Sequence, residues 1–192
     1  MPSSPKFQKE TILETALQML IREGYSAINI KSLAKELGCS TQPISRQFGS
    51  MDGLREELLD YCLEFLKTIF CLKGENAFDI IMGIAQGYID LAFDYPNLYK
   101  YLYMNEQDGN KLGNLARSLR ASNYDKVIEM LEQEYGISIE EANNYMRNMD
   151  FYVHGIASYT AIGFVDASKA EIMKKIYSAN KAFIAQVKAI KE

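Results

Sequence analysis

Apolar residues recur three and four positions apart along almost the whole chain, and the alternating β-branched runs that mark strands are absent, so the pattern predicts an all-α protein of about nine helices. Ile12, Leu13, Ala16, Leu17, Leu20 and Ile21 share one face of a first helix that Gly24 ends. Asn29 is placed to cap a second helix carrying Leu33, Ala34 and Leu37, and Gly38 stops it. Ser40 is placed to cap a short third helix with Pro43 in its first turn. Ser50 caps a fourth, whose face runs through Leu54, Leu58, Cys62, Phe65 and Ile69 to about Leu72, before a break at Lys73 to Asn76.

Phe78, Met82, Ala85, Ile89 and Ala92 line a fifth helix, and Pro96 opens a short sixth that ends near Met104. The segment NEQDGNKLGN reads as a mobile connection. A seventh helix turns Val127, Ile128 and Leu131 inward and closes at Gly136. The last two helices begin at Ser138 and Ser168, each with a Glu three residues on, the spacing of a reciprocal cap. The eighth, from Ser138 to about Gly163, is apolar nearly all round after Asp150, and Phe151 to Val165 reads as buried because it falls short of the roughly 20 residues that span a bilayer. The ninth repeats Ile172, Ile176, Ala179, Phe183, Val187 and Ile190 near a seven-residue period, the pattern of a packing seam.

Composition adds two constraints. At 192 residues and 48% hydrophobic content the chain is able to bury a full core. Its net charge is -4, yet residues 1–50 hold six Lys or Arg against four Asp or Glu, so the acidic total does not exclude nucleic acid at the N-terminal end. Cys39, Cys62 and Cys71 form no CxxC pair and no even disulfide set, and MPSSPKFQKE lacks the apolar stretch of a signal peptide. A reduced cytoplasmic protein with no membrane partner is expected. His154 is the only histidine, which excludes a multi-His metal site and leaves no catalytic constellation; the residue reads as a packing or interface group. No catalytic residue, metal or cofactor is assigned.

The stretch LAKELGCSTQPISRQFGSMDGL carries the clearest chemistry. Two helices joined by a tight glycine turn, with Ala34 at the close approach and Leu33, Leu37, Cys39 and Ile44 inward, match a helix-turn-helix. Its second helix would present Thr41, Gln42, Ser45 and Arg46 to base edges, with Gln42 suited to adenine and Arg46 to guanine or phosphate. Asn29, Lys31, Ser40 and Gln47 complete the expected DNA-facing set, the caps leaving helix N-termini toward phosphates.

Positions 10–66 resemble the DNA-binding domain of the tetracycline-repressor (TetR/AcrR-type) family, through Gly24, Ile30, Ala34, Gly38, Ser40, Phe48, Ser50 and Leu54. Ser45 stands where that family commonly has Tyr, and Met51 where it commonly has a phosphate-contacting Lys. The resemblance implies a DNA-binding domain over 1–50, a connecting helix begun by 51–72, and a larger helical ligand-binding and dimerisation domain over 73–192. It further implies a homodimer through the last two helices, a small-molecule effector, and release of operator DNA when that effector binds. Tyr88, Tyr99, Tyr103, Tyr152 and Tyr159 fall on the fifth, sixth and eighth helices, where such a pocket would lie; without a dense charge cluster there, an apolar or aromatic effector is expected. Gly155, Ser158, Ile162, Ile176, Phe183 and Val187 are the corresponding interface candidates.

Three functions remain open from the residues: a homodimeric ligand-released repressor, an architectural or partner-controlled DNA-binding protein with no small molecule, and an all-α enzyme dependent on His154. A filled rather than hollow C-terminal core would favour the second.

Overall fold

The structure is a computed structural model that describes residues 8–70, 74–104 and 124–189. The expected helix end at Leu72, Cys71, the segment NEQDGNKLGN and Ile190 lie outside the described residues. The described residues contain nine helices and no strand: α1 Lys9–Glu23, α2 Ile30–Glu36, α3 Thr41–Phe48, α4 Met51–Ile69, α5 Ala77–Asp94, α6 Pro96–Tyr103, α7 over 124–135, α8 Ile139–Ala161 and α9 Lys169–Ala189. A single 3-10 turn, Tyr25–Ala27, follows α1. Two compact units divide at 68/69, inside the predicted connecting helix.

In the first unit, Ile12, Ala16 and Leu20 of α1, Leu33 and Ala34 of α2, Ile44 and Phe48 of α3, and Leu54 and Leu58 of α4 are buried. Asn29 starts α2 through a reciprocal pair: its Oδ1 accepts from the Ser32 N–H at 2.9 Å, and Ser32 Oγ accepts from the Asn29 N–H at 3.1 Å. Those two bonds satisfy donors that a helix start otherwise leaves orphaned. Gly38 at φ 65° reverses the chain, with the Cys39 N–H donating to the Ala34 carbonyl at 2.9 Å. A side chain at that φ would be strained, so glycine is required at the turn between α2 and α3. Leu37 and Cys39, expected inward, are only half-buried.

Ser40 occupies the cap position of α3 without a cap bond. The cause lies in the sequence. The third helical residue is Pro43, which has no N–H for the hydroxyl to accept. Along α4 the buried stripe is Leu54, Leu58, Cys62 and Leu66 flanked by Leu59 and Leu63, while the expected Phe65 and Ile69 are half-buried. Burial raises the Cys62 thiol pKa to about 12, which makes it an inert core residue.

The second unit is built on α5 and α8, with α9 packed on both and α6 on both. Asn76 caps α5 by accepting from the Asp79 N–H at 2.8 Å, and Glu134 of α7 accepts from the Ala77 N–H at 2.9 Å, placing a carboxylate on the positive end of α5. The caps at Ser138 and Ser168 form as their spacing predicts, each Ser exchanging hydrogen bonds with Glu141 or Glu171. Lys169, opening α9, reaches Asp90 at 3.0 Å and Asp94 at 2.6 Å on α5. Fully buried Asn180 accepts a hydrogen bond from Tyr145, tying α9 to α8.

Phe151 to Val165, expected to be buried, is not. Val153, Ala157 and Ala161 face the core, whereas Phe151 is 71% exposed, Phe164 76%, and Tyr159 and Ile162 more than half. The segment is apolar on two faces, and one of them is left on the surface of the protomer.

Candidate nucleic-acid interface and effector pocket

Helix α3 turns Ile44 and Phe48 inward, so Thr41, Gln42, Ser45 and Arg46 are all exposed on the opposite face. Their spacing of one, four and five positions puts them on a single surface two turns long. Asn29, Lys31 and Ser40 are also exposed, near the start of α2 and at the start of α3. Gln47 is half-buried and belongs to the edge of this face rather than its centre. The donors and acceptors of Thr41, Gln42 and Ser45, with the cation of Arg46, have the lengths needed to reach base edges in a major groove.

The first turn of α4 offers no replacement for the lysine missing at Met51. Met51 is half-buried, Asp52 adds a negative charge, and the nearest cation on the helix, Arg55, pairs with Asp52 at 3.1 Å and lies over the Tyr25 ring. Arg22 is likewise held by carboxylates, Glu23 and Glu36, and those hydrogen bonds raise its pKa.

Between α5 and α8 lies a cavity with about 20 Å³ of free space, room for about one water. Its apolar wall is Ile81, Ile84, Ala85, Met146, Met149 and Val153; Tyr88, Asp150 and His154 supply its polar groups. An aromatic cluster adjoins it. Tyr88 and Tyr103 rings are 5.3 Å apart, Tyr103 is 5.0 Å from Tyr99, and the imidazole of His154 is 5.9 Å from Tyr103. The Tyr99 hydroxyl sits 3.1 Å from His154 Nδ1 and 3.1 Å from Ser158 Oγ. Gly87 makes this packing possible on α5, because a Cβ there would lie 2.6 Å from the Phe70 ring, which meets Tyr88 edge-on at 5.2 Å.

Three of the five expected pocket tyrosines, Tyr88, Tyr99 and Tyr103, therefore come together, and His154 joins them. Tyr152 and Tyr159 do not. Tyr152 meets Phe183 of α9 edge-on at 6.1 Å, and Tyr159 is 54% exposed against Phe164. The two are seven residues apart on α8, one stripe of the helix, whereas Met146, Met149, Asp150, Val153 and His154 form another. His154, read from sequence as a packing residue, was signalled only by its place on that second stripe.

The interface candidates divide in the same way. Ile162 is exposed, and a Cβ on Gly155 would meet nothing within 4 Å among the described residues, so that stretch of α8 is open to close approach. Ile176 is fully buried and Val187 is 8% exposed, so both belong to the protomer's own core rather than to its outer face. Ser158 is engaged with Tyr99, and Phe183 is half-buried against Tyr152. Phe151 and Phe164, absent from the expected set, are the most exposed large apolar side chains on this face.

Comparison with known proteins bears on both units. Residues 12–58 match the family model of bacterial regulatory proteins of the tetR family. Over 167 residues the chain is 25% identical to an uncharacterised HTH-type transcriptional regulator of Mycobacterium tuberculosis, covering 84% of this chain and 73% of that protein. A TetR-family regulator from Rhodococcus sp. superposes with a TM-score of 0.64 at 17% identity, covering 93% of this chain and 97% of the other. A TetR variant from Acinetobacter baumannii in complex with minocycline superposes at 0.56 and 14% identity, covering 97% and 99%.

Proposed function

From the premise that this chain is a transcriptional regulator of the TetR family, we propose that it is a homodimeric repressor released from its operator by a small molecule bound in the C-terminal unit. The observation that carries the DNA-binding half is the exposed face of α3, where Thr41, Gln42, Ser45 and Arg46 stand clear of the core. Gln42 reads adenine and Arg46 reads guanine or grips a phosphate, while Asn29, Lys31, Ser40 and Gln47 position the unit on the backbone. In a dimer the two α3 helices enter successive major grooves about 34–36 Å apart, so the operator is a pseudo-palindrome.

The exposed apolar face of Phe151, Tyr159, Ile162 and Phe164 supports the dimer, since soluble monomers rarely leave such a cluster uncovered. The effector binds by the cavity between α5 and α8, next to Tyr88, Tyr99, Tyr103 and His154. Its binding shifts the population away from the state whose helix separation fits DNA. The cavity's small free volume favours a second reading, in which the regulator answers to a protein partner or acts architecturally and needs no small molecule.

Fluorescence anisotropy with duplexes tiled across the DNA flanking the gene, at several salt concentrations, tests the DNA half. Selective binding to one pseudo-palindromic segment, with Gln42→Ala relaxing the preference, is the expected outcome. Binding that ignores sequence and vanishes with salt, or a monomer by light scattering at micromolar concentration, overturns it. A screen for compounds that dissociate the complex separates the two readings.

A further inference from the structure

Resting on the reading of this chain as an operator-binding regulator, we infer that Phe70 is a positioning residue for DNA binding: its ring, seated in a slot on α5, restrains the end of α4 and with it the first unit. Phe70 is the residue that follows α4, and α4 up to Thr68 belongs to the first unit. Whatever fixes this side chain therefore restrains the chain where the two units join.

The slot is built into α5. Gly87 is buried within that helix, and a Cβ there would lie 2.6 Å and 3.0 Å from two atoms of the Phe70 ring, closer than packed carbons approach. Glycine is unfavourable in a helix interior, and Gly87 has no positive φ to require it, so its missing side chain serves the ring rather than the backbone. Tyr88 closes the slot, its ring 5.2 Å away at 78°, the edge-to-face geometry that aromatic pairs favour. A second glycine repeats the device. Gly74, four residues on, has no space for a Cβ, because the Ile80 backbone nitrogen would stand 2.8 Å from it. The connection after α4 is thus held against α5 at both Phe70 and Gly74.

Tyr88 gives the seat its significance. The same ring lines the α5–α8 cavity and meets Tyr103 at 5.3 Å. With about 20 Å³ free, the cavity admits a molecule only by displacing its walls, and a displaced Tyr88 unseats Phe70. An operator read by two recognition helices at once needs both held at the groove spacing. A looser link lowers the competent share of the population, and operator affinity falls in proportion.

The test needs no effector. Anisotropy titrations use the operator segment selected by the parent protein and a scrambled duplex of equal length. Gly87→Ala, which improves helix propensity while evicting the ring, and Phe70→Ala are each expected to weaken operator binding about tenfold. Phe70→Tyr, which keeps the ring, should stay within about twofold of the parent. The double variant should bind no worse than either single, since the added Cβ then meets no ring. Binding to the scrambled duplex should stay unchanged, because it depends on the cations of the first unit alone. Urea unfolding at one fixed protein concentration checks that every variant is folded. Parent-like operator affinity in both single variants overturns the inference, as does an equal loss on the scrambled duplex or in Phe70→Tyr; the regulator reading then stands. A parent protein that selects no duplex removes that reading, and the inference with it.

Discussion

Replacing Tyr145 by Phe tests how α8 and α9 are held. Asn180 is 0% exposed and Tyr145 1%, the tyrosine hydroxyl donates to Asn180 Oδ1, and Asn180 Nδ2 has no partner among the described residues. Tyr145→Phe removes one oxygen, leaves a shape-matched ring, and strands the whole amide, so the loss should be about 1–3 kcal/mol, the cost of a buried polar group with no bond. Asn180→Leu strands the tyrosine hydroxyl instead but also removes the orphaned N–H, so its loss should be the smaller of the two. In the double variant no buried polar group of the pair remains, and stability should return to the parent value or exceed it. The assay is urea unfolding followed by far-UV circular dichroism at one fixed protein concentration, because association shifts apparent stability. The cycle should give a coupling energy equal in size to the sum of the two single losses, at unchanged m-value. A Tyr145→Phe midpoint equal to the parent's, or a double variant worse than both singles, would refute the reasoning, since the amide would then be solvated or the packing would dominate. The same burial, with a smaller contribution from Tyr135, pushes the Tyr145 hydroxyl pKa well above the usual phenol range, so its ionisation should fall at the alkaline end of an ultraviolet titration.

Three further outcomes are expected. Ser138→Ala removes half of a reciprocal cap and should cost about 0.5–2 kcal/mol in the same unfolding assay, with Glu141→Ala giving little additional loss on top of it. Lys169 has its pKa raised above 10.5: burial alone lowers it, but hydrogen bonds to Asp94 and Asp90 outweigh that. Because the folded value lies above the unfolded one, the bridge stabilises fully below pH 10.5 and is lost as pH rises through the raised value; Lys169→Met should remove that alkaline component, worth about 0.2–1 kcal/mol for so accessible a pair. Arg46→Ala should lower the slope of log affinity against log salt by about 1 if the guanidinium meets a phosphate, and relax selectivity at one base pair if it meets guanine.

Local signals carried the sequence reading furthest. Helix starts at Asn29, Ser50, Ser138 and Ser168 were legible because a cap is a contact between residues three apart, and the inward Leu33, Ala34 and Ile44 followed from periodicity in short helices. What failed depended on helix phase or on distant partners. Tyr152 and Tyr159 share a residue type with Tyr99 but not a face, and in a helix apolar on two sides composition does not say which side meets the core. Ile176 and Val187 were read as a seam against another helix, which they are, but the helix belongs to their own protomer. Ser40 shows the reverse case: a residue in the cap position whose natural partner, the third N–H, is a proline. Glu134 capping α5 from 57 residues away has no signature that a single sequence displays.

The narrowness of the α5–α8 cavity also makes any affinity measured there a product of two equilibria. If the effector enters there as proposed, it does so only in a widened form, and the apparent dissociation constant is the intrinsic one divided by that form's share of the population. A protein whose widened form holds about 1% of molecules responds as though its effector bound about a hundredfold more weakly than the contacts alone would dictate. On that proposal, the concentration at which the protein responds would be set jointly by what the effector touches and by how readily Met146 and Met149 yield their space. A change in either methionine would move that threshold without altering a single group that recognises the ligand.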